Sequence, residues 1–303
     1  MKWLKIKDIL QISKAAFKEW WIKDPFRQSA IIAYYAIFGI PGLLVLIIAF
    51  AGYFFGAERV NENLMAQIAD TIGSETALQI QEVLTKSTAE KSTLWGSILG
   101  ITILLLGATG VFVELQTTLN LIWNVKVKPQ NGLWRIIKAR LFSFGLILAI
   151  AFLLTISLVF STVLVAISNF ISFESSQLMM TLYGIINFVF SLFVISALFA
   201  MIFKILPDAK IQWKHVWLGS LLTGVLFTIG KMFLAYYFGK AEPASVYGAA
   251  SSIILILLWV SYSSMILFLG AEFTAAFAKK YSGTIEPTSL AKVEILTEVE
   301  KIS

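Results

Sequence analysis

The sequence predicts an all-α integral membrane protein with six transmembrane helices, an N-terminal interfacial amphipathic helix and a helical outer loop. Three observations carry this expectation. Of 303 residues, 58% are apolar and 14% are charged, against roughly 45–50% and about 25% in soluble chains, and mean hydropathy is +0.82. A soluble fold has no room to hide that much apolar surface, because much of any fold's surface stays in contact with solvent. The apolar residues also gather into long runs without charge, and the basic residues gather into alternate connections between those runs.

The first 29 residues carry too many charges to be a cleavable signal, and the apolar run behind them exceeds a signal core of ~7–15 residues. Trp3, Ile6, Leu10, Phe17, Trp20 and Trp21 instead recur near helical spacing among Lys2, Lys5, Lys7, Lys14 and Lys18. That pattern fits a helix lying on the inner leaflet, or one packed on a cytoplasmic partner. Charge-free runs follow at 28–57, 92–113, 141–173, 175–203, 216–239 (broken only by Lys231) and 243–271, the last continuing past Glu272 to Ala278. Each exceeds the ~20 residues that cross ~30 Å of hydrocarbon. The spans are placed at approximately 30–56, 93–113, 141–168, 178–203, 216–239 and 249–277, within one domain over 1–280. Residues 281–303 have little periodicity and are expected to form a flexible cytoplasmic tail.

Orientation follows from Lys and Arg in alternate segments. The N-terminal segment, 114–140, 204–215 and the tail hold 19 of the 24 basic residues, while the opposite connections hold 4. Both termini are therefore expected in the cytoplasm, and the net charge of +6 is assigned to the inner face of a membrane rather than to nucleic acid. The first outer connection, 58–91, repeats Val60, Leu64 and Ile68 every four residues, with a weaker pattern at Leu78, Gln81, Leu84 and Thr85. It reads as a pair of short amphipathic helices, serving either as a lid on the bundle or as a docking element for an envelope partner.

Catalytic chemistry has little to work with. The chain has no cysteine and one histidine, His215, so a disulfide, a thiolate nucleophile and a multi-histidine metal centre are excluded. There is no Walker-type glycine loop, HExxH helix or GxSxG elbow. No metal or cofactor is expected, and membrane lipids are the expected partners.

The candidate residues are polar groups at membrane depth, which are costly in hydrocarbon and generally face the bundle interior or water. Lys231 lies about 22 Å along the fifth span and Asn187 about 14 Å into the fourth from the other side, so the two share a level in the outer half. Gly224 and Gly230 near Lys231 could leave room for an anionic headgroup, unless the lysine merely snorkels outward. Glu114, Lys204 and Glu272 share the inner level, where Lys204–Glu272 or Lys204–Glu114 pairs are geometrically possible and Lys231–Glu272 is not. Gly39, Pro41 and Gly42 interrupt the first span, so a kink or broken helix is expected there, serving packing or substrate contact. Gly96 and Gly100 form a GxxxG pair suited to close helix contact.

Four blocks resemble one family. They are Asp24-Pro25 through Ala33-Tyr34-Tyr35-Ala36 to Pro41; Gly110-Val111-Phe112, Leu115-Gln116, Leu119-Asn120 and Ile122-Trp123; Pro207-Asp208 through Trp213 to Trp217 and Gly219; and Tyr247-Gly248-Ala249, Leu258-Trp259, Tyr262 and Gly270-Ala271-Glu272. Their order and spacing over roughly residues 20–280 resemble the YihY/BrkB family. The resemblance implies a bacterial cytoplasmic-membrane protein with six helices, and adds Asn120 to the candidates. Members carry an inherited ribonuclease label and some are called virulence factors; moving lipids or lipid-linked material across the envelope has been suggested. Gly39 departs from the Ser or Thr expected before the proline region. The ribonuclease label conflicts with this composition, since metal-dependent cleavage needs a ligand cluster that one histidine cannot build. The functional expectation is therefore a protein that moves or handles lipid or another amphiphile, with a non-catalytic scaffold or regulator of envelope assembly as the alternative.

Overall fold

The computed structural model describes residues 6–72, 74–89, 94–127, 177–241, 251–283, 285–288 and 291–293. The expected span at 141–168 and residues 294–303 of the tail lie outside them. The helices are α1 Ile6–Ile22, α2 Pro25–Phe55, α3 Ala57–Ile72, α4 Ser74–Ala89, α5 Leu94–Ile122, α6 Gln177–Ile205, α7 Trp213–Ala241 and α8 Ser251–Ser282. Four short strands sit at their ends: β1 Val125–Val127, β2 Ala209–Lys210, β3 Glu286–Pro287 and β4 Ala291–Val293. Among the described residues, Gly184–Ile205, Trp213–Leu234 and Ile253–Tyr281 are long and apolar enough to cross a membrane.

Small residues set the helix packing. α2 runs antiparallel to α5, and a side chain at Gly107 would meet Phe38 and the Gly39 backbone, while one at Gly110 would meet the Tyr35 ring. The close approach on α5 is thus seen at 107 and 110. Helix α2 is continuous through Gly39, Pro41 and Gly42, so the expected break is absent. Gly39 meets α5 backbone to backbone, which gives the small residues a packing role.

α7 and α8 meet through a reciprocal pair of G-x-x-x-T segments. A Cβ at Gly219 would collide with the Thr274 hydroxyl, and one at Gly270 with the Thr223 hydroxyl. Each threonine turns its hydroxyl back to the glycine carbonyl one turn earlier, Thr223 to Gly219 and Thr274 to Gly270, both at 2.7 Å. The threonines thereby satisfy their own donors and present only methyl and hydroxyl bulk to the opposing glycine.

The main core gathers Ile32, Ala36, Leu119, Phe199, Phe203, Val216, Phe268 and Ala271 from α2, α5, α6, α7 and α8. A second core lies at the other end of α2, where Leu44 and Ile47 receive Val60, Leu64 and Met65 of α3 and Ile80 and Leu84 of α4. The two short helices expected over 58–91 are present, but α4 is rotated from its expected face: Ala77, Ile80 and Leu84 are buried and Leu78 is exposed.

α1 docks on α8. Ile12 and Ala16 pack against Phe273 and Phe277, and Leu10, Phe17 and Trp21 of its apolar pattern stay exposed. Part of the tail, expected to be free, is held. β4 pairs antiparallel with β1, Val125 opposite Val293, and β3 pairs antiparallel with β2, Ala209 opposite Pro287.

Candidate functional site

The α1–α2 turn, the end of α5, the α6–α7 turn and the C-terminal half of α8 meet at one end of the bundle. Local chemistry makes the first turn sharp. Asp24 adopts a left-handed conformation (φ 52°) and caps α2 by accepting from the Arg27 N–H at 3.4 Å. Pro25 follows in the first helical turn, where its missing N–H goes unneeded. The chain reverses directly after Lys23, and that side chain enters the bundle.

Lys23 Nζ lies 2.8 Å from Glu272 Oε1, with the two side chains 13% and 5% exposed. The ammonium also donates to the Ile122 carbonyl at 3.4 Å, a helix-end acceptor with no partner within its own helix. The contact with Glu272 is a close, buried ion pair. Trp20 Nε1 donates to the Met265 carbonyl at 3.1 Å, fixing α1 against α8 one turn before the lysine. At the opposite end of α1, Lys280 of α8 donates to Asp8 at 2.7 Å.

Between these two ion pairs lies a cavity of about 520 Å³, within the ~300–1,000 Å³ of small-molecule sites. α1 supplies Gln11, Ile12, Ala15 and Glu19, and the turn after it Lys23; α8 supplies Glu272, Ala275, Ala276, Lys279 and Lys280; Ile122, Trp123, Asn124 and Ile285 close it. Elsewhere on α1, Phe17, Trp20 and Trp21 join Phe26 of α2 in a continuous aromatic cluster with ring centroids 5.3–6.3 Å apart.

A second polar knot fixes the α6–α7 turn. Asn120 Nδ2 donates to Asp208 Oδ2 at 3.0 Å, and the Asp208 N–H donates to Asn120 Oδ1 at 2.8 Å. Gln116 Nε2 adds a third bond to Oδ2 at 3.2 Å. The Thr288 N–H donates to the Asp208 carbonyl at 2.9 Å, tying in the tail. Lys204 donates to the Ile211 carbonyl and sits 5.7 Å from the centre of the Trp213 ring, a cation–π distance.

Of the residues expected to matter, Glu272 enters the cavity, while Asn120 and Lys204 sit at the neighbouring turn. The inner-level pairing differs from expectation: Lys23, not Lys204, is the partner of Glu272. Glu114 is half-buried on α5 in the field of Arg27. Asn187 is exposed on α6 and Lys231 is half-buried on α7. The room expected beside Lys231 is filled, because Gly230 accommodates the Tyr262 ring and Gly224 the Ser196 hydroxyl. Pro41 lies within continuous helix. His215 is buried against the Phe277 ring, centroids 5.4 Å apart. Lys23 and Asp208 were not among the candidates; their signal was their place beside Asp24-Pro25 and Pro207, where a turn throws the neighbouring side chain inward.

Long apolar helices packed through glycines, with few charged groups along them, define a helical membrane protein. The chain belongs to the family described as Virulence factor BrkB, whose model matches residues 16–294. Among its relatives is a UPF0761 membrane protein of Saccharophagus degradans, 25% identical over 267 residues, covering 87% of this chain and 59% of the relative. One of Teredinibacter turnerae is 25% identical over 278 residues, covering 89% and 61%. Another, of Vibrio vulnificus, is 23% identical over 253 residues, covering 82% and 76%. The chain thus spans about 60% of the length of the first two. No solved structure matches.

Proposed function

We propose that this protein moves or handles a lipid or another amphiphile for the cell envelope, working in the cytoplasmic membrane of a bacterium without catalysing a reaction. In this reading α2, α5, a helix over 141–168, α6, α7 and α8 cross the bilayer. At 31 and 29 residues, α2 and α5 reach about 46 and 43 Å, ample for the hydrocarbon core. Both chain ends face the cytoplasm, and α1 lies along the inner leaflet with Leu10, Phe17 and Trp21 towards lipid.

The observation that carries the reading is that α1 lines a charged cavity and also bears an exposed aromatic cluster. An amphiphile needs both environments at once, a polar recess for its head and an apolar surface for its tail, and tryptophan suits the boundary between them. Of the transport candidates Lys231, Asn187, Glu114, Asn120, Lys204, Glu272 and Pro41, Glu272 leads because it lines that cavity. Liposomes containing the purified protein should exchange a fluorescent phospholipid between leaflets faster than protein-free liposomes. Rates no faster than in protein-free liposomes, for each of several lipid classes, would overturn the transport reading.

One observation favours the scaffold alternative. Glu58, Glu62 and Glu82, with Leu78, are exposed on α3 and α4, an acidic outward face suited to an envelope-protein partner. Recovery of one defined cross-linked protein through photoreactive groups at these positions, without lipid exchange, would favour it.

A further inference from the structure

The charges lining the cavity can be sorted by what already neutralises them. Lys23 is paired with Glu272, and Lys280 with Asp8. That leaves Glu19 and Lys279, one acid and one base. Among the described residues neither has an ion-pair partner, and Glu19 feels Glu272 only as a like charge. Near α1's end two carboxylates therefore face one ammonium, and that ammonium is held 2.8 Å from Glu272 Oε1. A cationic group is what that end of the cavity lacks.

At the other end the surplus is positive. Glu272, Ala275, Ala276 and Lys279 follow at i, i+3, i+4 and i+7 and so share one face of α8. The rise from Glu272 to Lys279 is about 10 Å. Ala15, Ala275 and Ala276 leave the space between them open. A ligand bearing a single charge would leave either the acid or the base unopposed; a bipolar ligand answers both.

We propose that this cavity binds a zwitterionic phosphoamine headgroup, its ammonium against Glu19 and Glu272 and its phosphate against Lys279. This rests on the amphiphile-handling reading and names its headgroup class. The same chemistry occurs in phosphatidylethanolamine and in free glycerophosphoethanolamine. Ile12, Ile122 and Trp123 at the wall favour the acylated form.

The test is calorimetric titration of the detergent-purified full chain with three probes: dihexanoyl phosphatidylethanolamine, dihexanoyl phosphatidylglycerol and glycerophosphoethanolamine. The ethanolamine lipid should bind at least tenfold tighter than the glycerol lipid. Glu19→Gln and Lys279→Gln, both at exposed positions, should each weaken it about tenfold. Glu19→Lys should shift preference towards the anionic lipid. Binding of glycerophosphoethanolamine as tightly as the lipid would make the free compound the ligand; much weaker binding would make it the membrane lipid. Equal affinity for the two lipids, or unchanged binding in both glutamine variants, would overturn the site. Headgroup binding without leaflet exchange would remove the transport reading alone, and leaflet exchange without headgroup preference would remove this site alone.

Discussion

Removing the Lys23 ammonium while Glu272 stays in place leaves a buried carboxylate without its counter-charge. Truncations of that kind typically cost about 3–5 kcal/mol. Lys23→Met should therefore lower the thermal unfolding temperature strongly, whereas Lys23→Met combined with Glu272→Gln should recover most of the loss; additive losses in the double variant would show that the pair is not coupled. The Asn120–Asp208 knot behaves differently, because its parts are hydrogen bonds. Asn120→Ala removes a donor and an acceptor at about 1–3 kcal/mol, while Asn120→Asp sets a second carboxylate against Asp208. Melting curves should rank wild type above Asn120→Ala, and that above Asn120→Asp. Glu272 could be singled out from sequence because an acid in an apolar run is conspicuous. Its partner could not, because counting residues along a helix gives depth but not azimuth. Lys204 lies at the right level, yet its ammonium is engaged by the Ile211 carbonyl and the Trp213 ring.

Between elements, the reciprocal glycine–threonine contact makes α7 and α8 intolerant of a single methyl group. Gly219→Ala would force its Cβ into Thr274, and overpacking of this kind costs about 1–3 kcal/mol. Gly184 on α6 meets nothing within 4 Å, so Gly184→Ala serves as the control. Unfolding in detergent should show Gly219→Ala destabilised, partly restored by adding Thr274→Ala, and Gly184→Ala unchanged or slightly improved. The described helices were legible because apolar runs and four-residue repeats extend over many turns. The rotation of α4 was not, since Leu78 and Ile80 are equally apolar and only contact with α2 and α3 decides which turns inward. Strands of two or three residues carry no period at all. Val125 meets Val293 across most of the chain, and nothing local to either segment announces the other.

For the whole molecule, the distribution of basic residues predicts which side of the membrane each end occupies. A reporter active only outside the membrane should be silent when fused after Ser303 and active when fused after Asp70; the reverse pattern would overturn the proposed topology. The basic α1–α2 and α6–α7 turns meet the C-terminal half of α8, and α3 and α4 pack at the far end of α2. The purified protein should leave RNA intact with or without divalent metal. Metal-dependent cleavage abolished by a point variant would overturn the non-catalytic reading.

The docking of α1 on α8 has a consequence for biosynthesis. Lys23 leaves the ribosome 249 residues before Glu272, which at about 5–20 residues per second is a delay of roughly 12–50 s. Throughout that interval α1 has no α8 to bury Ile12 and Ala16, to take up the Trp20 N–H or to neutralise Lys23. Both of its apolar faces are then uncovered, and the nascent helix must wait at a surface that accepts aromatic side chains until the last helix arrives. Closure of the cavity thus waits for α8, and a chain arrested before residue 251 should keep α1 open to protease while the finished protein protects it.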